Sequence, residues 1–151
     1  MAWIGATRPF TGCVFCSARD GGNDRETYLL ERGDHAFLIL NAYPYAPGHL
    51  MAVVNRHIPT VGDAEPVELA DTMRLVQRAA AALSAEYRPD GFNMGWNQGR
   101  AAGAGIEDHL HVHVVPRWNG DANFVTVLGD TRVLPETLDT TWERLRRQLG
   151  G

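Results

Sequence analysis

The segment His109-Leu110-His111-Val112-His113-Val114-Val115 limits what this chain can fold into more than any other. Imidazole and apolar side chains alternate with a period of two, which is the period of a β-strand. His109, His111 and His113 therefore leave one face, and Leu110, Val112 and Val114 the other. At a rise of about 3.3 Å per residue, successive imidazoles start about 6.6 Å apart. Neighbouring pairs can share one ligand, while the outer two serve different atoms. Half of the six histidines lie in these five residues. A polar strand face turned to water is the plain alternative, but it does not call for one residue type three times over. Two chemistries do. One is metal binding, since His-x-His on a strand presents two ligands together. The other is nucleophilic catalysis by one imidazole whose tautomer is held by its neighbours.

The remaining pattern places that strand in a mixed architecture. Residues 27–31, 36–41, 49–54, 92–96 and 124–128 read as further strands, with turn chemistry at Arg32-Gly33-Asp34 and at Gly21-Gly22-Asn23-Asp24. Pro44 and Pro47 make 41–48 a loop. Residues 65–87 form the clearest helix, with Leu69, Met73, Val76, Ala80 and Leu83 as its apolar stripe and Pro89 just beyond it. A second helix spans 138–149, with Pro135 near its start and Gly150 after it. This order predicts an α+β domain with a largely antiparallel sheet. A length of 151 residues fits one core, so 1–151 reads as a single domain: an N-terminal segment 1–26 and a core 27–151.

Composition removes several function classes. The chain has no lysine, and all 14 basic residues are arginine. That excludes a lysine-bearing phosphate loop and a lysine Schiff base. A net charge of −4 opposes a dedicated nucleic-acid binder. With no run of about 18 apolar residues and no charged-then-apolar start, neither a membrane span nor a signal peptide is expected, and the cytoplasm is the default location. The only cysteines, Cys13 and Cys16, are spaced Cys-x-x-Cys. In a reducing compartment this points to metal or redox chemistry rather than a structural disulfide. A thioredoxin-like motif is the weaker option, because no strand pattern precedes the pair and no helix pattern follows it.

The histidine strand resembles the histidine-triad motif, His-φ-His-φ-His-φ-φ with φ hydrophobic, of the histidine-triad (HIT) nucleotide hydrolases and transferases. Asn41-Ala42-Tyr43-Pro44-Tyr45-Ala46-Pro47-Gly48-His49-Leu50-Met51 is similar to the family's ribose-contacting loop and the strand after it. Gly91-Phe92-Asn93-Met94-Gly95-Trp96-Asn97-Gln98-Gly99 is similar to its strand entering the phosphate loop. Arg117-Trp118-Asn119-Gly120-Asp121-Ala122-Asn123-Phe124 is similar to the branch containing bacterial diadenosine tetraphosphate phosphorylases. The four segments agree in order, and the likeness covers roughly residues 13–149.

This resemblance implies a HIT-like antiparallel sheet with one long helix and a C-terminal helix. It also implies a homodimer joined sheet edge to sheet edge, with Trp118 and Trp142 as candidate contacts. His111 would attack the α-phosphorus to form a nucleotidyl-imidazole, its tautomer fixed by a nearby backbone carbonyl. His113 would contact phosphate oxygens and assist the leaving group. Asn41 matches a ribose contact, with a strand-end turn as its alternative role. Asn97 and Gln98 share a phosphate-contacting position, because the 99–108 loop is one residue longer than the commoner pattern and a slip of one exchanges them. Gly99, Gly103 and Gly105 permit close backbone approach of amide donors to phosphate. Arg100 is a candidate phosphate clamp, and Arg117 either a second cation or a sheet-end salt bridge. Some family members bind structural zinc through two such cysteines, a histidine after the third strand and the first triad histidine; carried over, these are Cys13, Cys16, His57 and His109. No organic cofactor is expected. His49 is a candidate orienting residue and His35 a solvent-facing turn residue, while Phe37, Tyr43, Tyr45 and Trp96 are candidates for a base pocket.

The expected reaction is phosphorolysis of diadenosine tetraphosphate to ATP and ADP, with inorganic phosphate as acceptor. Hydrolysis of a dinucleoside polyphosphate or a nucleoside phosphoramidate, with water as acceptor and AMP released, is the nearest alternative. Two other classes remain open. One is a metal-dependent hydrolase with His109, His111 and His113 on catalytic zinc; the other is a nucleotide-binding module without turnover.

Overall fold

β3 (Leu50–Val54) and β5 (His111–Arg117) lie side by side inside an antiparallel sheet of order β1-β2-β3-β5-β4. β1 is Leu29–Arg32, β2 Ala36–Leu40 and β4 Gly91–Gly95. The computed structural model describes residues 12–122 and 136–150. Every residue of β2 and β3 is buried, and their runs AFLIL and LMAVV are apolar throughout, as strands covered on both faces must be.

One face carries Leu38, Leu40, Leu50, Ala52, Val112 and Val114 against two helices, α3 (Pro66–Tyr87) and α4 (Leu138–Leu149). The other face carries Leu29, Phe37, Ile39, Met51 and Val53 beneath Phe15 and Ala18 of α1 (Val14–Asp20). His111 pairs with Val53 and His113 with Met51, so these two triad imidazoles share the α1 side. Leu38 is fully buried in the first layer. Leu38→Ala is expected to cost about 2–5 kcal/mol in urea unfolding; a loss below 1 kcal/mol would show that this layer collapses around the gap.

The α+β arrangement, the long helix and the C-terminal helix are as the sequence predicts. The expected strand at 124–128 lies outside the described residues. Three local expectations are corrected. A helix does follow Cys13: seven residues are too few for a periodic signal, and α1 is held by burying Phe15 and Ala18. A short helix, α2 (Asp24–Thr27), replaces the start of the expected first strand. It ends on Tyr28 in the left-handed region at φ 58°, and β1 begins at Leu29.

The third correction concerns α3. Its buried face is Glu68, Thr72, Leu75, Val76, Ala79, Ala82 and Leu83, whereas Met73 is 48% exposed and Ala80 only partly buried. The stripe is rotated because small alanines face the sheet and because Glu68 turns inward. Glu68 accepts two bonds from Arg56, both 2.7 Å, and one of 2.8 Å from the Glu65 amide in a capping box behind Pro66. The Arg56 bonds hold its carboxyl down from an ordinary 4.5 to about 2. Stability from this pair is thus complete above about pH 4.5 and lost as pH falls toward 2. Glu68→Gln is expected to flatten that acid limb of the unfolding curve while lowering stability at neutral pH; an unchanged limb would show that the pair does not set it. No described helix is long and apolar enough to cross a membrane.

Candidate active site and adjoining metal centre

Side chains on the α1 face of β5 are fixed by backbone partners that sequence does not reveal. His111 is buried at 4% exposure, and its Nδ1 donates to the carbonyl of His109 at 2.7 Å. The proton is thereby placed on Nδ1, which leaves the lone pair on Nε2. Burial pushes the His111 imidazole below its ordinary pKa, partly opposed by the carbonyl bond.

His113 has the opposite arrangement. The amide of Tyr45 donates to His49 Nδ1 at 3.0 Å, so neutral His49 carries its proton on Nε2. That proton points at His113 Nδ1, 3.0 Å away. His113 is left with its own proton on Nε2. Burial, and then the charge of His111, push His113 down to about 4, so it is neutral at physiological pH. The two rings lie 4.9 Å apart at 74°. A buried imidazole and a partly buried one thus set a nitrogen lone pair beside an N–H donor.

His49 is placed by Gly48, whose φ of +81° suits glycine. A β-carbon there would fall 2.6 Å from Leu83 Cδ2, so the 41–48 loop packs directly on α3. Asn41 lies at the same end, 3.3 Å from His49 Nε2 through its amide nitrogen, while its Oδ1 accepts from the Tyr43 amide at 2.9 Å. Asn41 thus has both the turn role and a place beside the imidazoles.

At the other end, Cys13, Cys16, His57 and His109 bring four ligand atoms within 4.8 Å of one another. From His109 Nδ1 the neighbours are Cys13 Sγ at 3.2 Å, His57 Nδ1 at 3.3 Å and Cys16 Sγ at 3.7 Å; Cys16 Sγ lies 3.5 Å from His57 Nδ1. A tetrahedral zinc with bonds of about 2.0–2.3 Å has ligand-to-ligand edges of about 3.3–3.8 Å, so the residues fit that ion. His109 Nε2 donates to Val54 O at 2.7 Å, which turns Nδ1 into the ligand atom.

The phosphate-loop residues are less drawn together. Asn97 Nδ2 donates to Gly103 O at 3.5 Å, while Gln98 Oε1 accepts from the Val61 amide at 3.0 Å. Gly103 stands in the left-handed region at φ +84°, ending a 3₁₀ turn over Arg100–Ala102. The Arg100 side chain is 90% exposed and pairs with Glu107 at 2.9 Å, so no described contact brings it to the imidazoles. Arg100 and Gly105 line a cleft of about 670 Å³ beside Cys13 and His57. Arg117 is a sheet-end pair, bound to Asp121 at 2.6 Å and to Asn93 at 2.7 Å. His35 is a half-buried turn residue whose amide donates to Asp71 at 2.7 Å. Phe37 is core, whereas Tyr43, Tyr45 and Trp96 are exposed. Trp142 is engaged within its own chain, donating to Leu29 O at 2.9 Å.

Fold and site together define an α+β protein in which an interior strand of an antiparallel sheet carries buried imidazoles beside a Cys/His cluster. The HIT domain profile matches residues 24–120, and the chain belongs to the HIT domain family. It is 44% identical over 119 residues to the AP-4-A phosphorylase of Mycobacterium tuberculosis, covering 79% of this chain and 61% of that protein. The chain therefore spans about three-fifths of the length of that curated relative. A hypothetical histidine triad nucleotide-binding protein of Sulfolobus tokodaii is 26% identical with a TM-score of 0.74, covering 91% of each chain. A zinc-bound histidine triad family protein of Mycobacterium smegmatis is 27% identical with a TM-score of 0.74, covering 91% of this chain and 93% of that one.

Proposed function

We propose that the chain is a HIT-type enzyme that transfers a nucleotidyl group through His111, and that its reaction is phosphorolysis of diadenosine tetraphosphate to ATP and ADP. The observation that carries this reading is the pair of opposed tautomers, with a lone pair on His111 Nε2 and a proton on His113 Nε2. His111 Nε2 forms a bond to the α-phosphorus as the bond from phosphorus to the bridging oxygen breaks. His113 gives its Nε2 proton to that departing oxygen, releasing ATP. An oxygen of inorganic phosphate then attacks the same phosphorus and returns a proton to His113. The P–N bond breaks with its electron pair going back to His111, and ADP leaves. The likeness to the M. tuberculosis phosphorylase supports phosphate as the acceptor.

The other assignments follow the same geometry. Asn41, 3.3 Å from His49, would meet the ribose. Of the neighbouring amides, Asn97 is assigned to phosphate, because Gln98 Oε1 already accepts from Val61. Amides at Gly103 and Gly105, with Arg100, would complete the cradle. Cys13, Cys16, His57 and His109 would hold zinc in a closed four-ligand site, where the metal supplies structure rather than a reactive water. Against a single zinc on all three triad histidines stands their divergence: the Nδ1 of His109 faces the cysteines, that of His111 a carbonyl, and that of His113 faces His49. Among the described residues β4 ends the sheet order and carries exposed Met94, beside exposed Trp96, which suits edge-to-edge pairing in a homodimer.

The test is product analysis on diadenosine tetraphosphate with and without inorganic phosphate. ATP plus ADP at a phosphate-dependent rate is expected. AMP plus ATP at an unchanged rate replaces phosphorolysis by hydrolysis, and no turnover in either condition leaves a binding module.

A further inference from the structure

An imidazole that donates one hydrogen bond can still turn about χ2. A half-turn of His111 would put a C–H at the His109 carbonyl and move the reactive nitrogen to the position that Cε1 now holds. Rings packed against it oppose that turn. The His113 ring lies with its centroid 4.9 Å away. Phe15, 2% exposed, has its centroid 5.0 Å from His111 at 55°. The same phenyl ring meets His109 edge-on at 5.5 Å and 82°. Phe15 therefore braces two residues at once: the imidazole of His111, and the residue whose carbonyl receives the His111 proton.

Its position in sequence adds the second observation. Phe15 sits between Cys13, which caps α1, and Cys16 one turn on. Both cysteines face His109 Nδ1, at 3.2 and 3.7 Å. A metal held by Cys13, Cys16, His57 and His109 would pin that turn of α1 to the start of β5, and with it the Phe15 ring. His109 would be fixed twice, through Nδ1 in the cluster and through Nε2 on Val54 O.

We propose that Phe15 is a positioning residue for His111, and that filling the Cys/His cluster fixes the His111 imidazole through two struts, the Phe15 ring and the His109 carbonyl. The inference rests on the reading of His111 as nucleophile. It assigns the N-terminal segment a part in the transfer step that neither residue type nor spacing announces.

The experiment compares zinc-loaded wild type, zinc-loaded Phe15→Leu and chelator-treated wild type, with Phe15→Ala as a more severe variant should it fold. Zinc per chain is measured by elemental analysis, and the His111 tautomer by long-range proton–nitrogen spectra on histidine-labelled protein at one fixed pH. Formation of nucleotidyl-His111 is followed by rapid quench with diadenosine tetraphosphate. Loaded wild type is expected to show a single Nδ1–H tautomer, and the other two samples a mixture. Phe15→Leu should keep its zinc and its KM within about two-fold, while the transfer rate falls about 10- to 100-fold, as expected for a misplaced reacting group. A Phe15→Leu protein with full zinc, one tautomer and the wild-type rate overturns the proposal. So does a raised KM with an unchanged tautomer, which would make Phe15 a wall of the nucleoside site. If wild type forms no nucleotidyl-histidine, the transfer reading itself fails, and the tautomer measurement, which needs no turnover, decides the bracing role on its own.

Discussion

His111→Ala is expected to lower turnover of diadenosine tetraphosphate by about 10⁴-fold or more, because a covalent path has no substitute for its nucleophile. The buried imidazole also donates to His109 O at 2.7 Å, so the variant should lose about 1–3 kcal/mol of stability, too little to explain such a rate by unfolding. Nucleotidyl-protein, trapped by acid quench and located by mass spectrometry, should disappear with the activity. The His113→Ala variant separates the two roles. Removing a proton donor costs about 10²–10⁴-fold, and that loss should shrink for substrates whose leaving oxygen needs no proton. The adduct on His111 should still form, more slowly. Retention of a tenth of the wild-type rate by His111→Ala would remove the covalent mechanism, whatever the products.

That prediction was largely legible in sequence, since the alternation at 109–115 puts His111 and His113 on one face of a strand, although the strand begins at His111 and His109 lies just before it. The tautomers were not. They depend on the carbonyls of His109 and Val54 and on the Tyr45 amide, and backbone atoms carry no residue code. The metal cluster stands between these cases. Cys-x-x-Cys announces two ligands, but His57 and His109 lie 52 positions apart and meet only because β3 and β5 are neighbours. Helix α3 was legible as a helix and misread as a face. Its stripe counted Met73 inward and did not include Glu68, because a charged residue turns inside only when a partner such as Arg56 waits there. Helix α1 was missed for a related reason: its length gives no period, and its stability comes from what Phe15 and Ala18 cover.

Cys16→Ala is expected to abolish stoichiometric zinc binding, and the second large effect should follow in stability. Cys16 Sγ is close to both histidine ligands, 3.5 Å from His57 Nδ1 and 3.7 Å from His109 Nδ1, so no other described side chain can take its corner. A ligand present at about 1,000 times its Kd adds about 4 kcal/mol to the folded state. For a chain of this length that is about 8–16 °C in Tm, at about 2–4 °C per kcal/mol. Chelation of wild type should reproduce the loss, and chelation of Cys16→Ala should add nothing further. The pattern of activity then separates a structural metal from a catalytic one. A structural zinc predicts that stripped protein, kept below its lowered Tm, still forms nucleotidyl-His111, only more slowly. A zinc that generates the attacking group predicts the reverse: chemistry lost completely, with Tm hardly moved. The second outcome would return the three histidines to a metal-dependent hydrolase, against the divergent directions in which their Nδ1 atoms point.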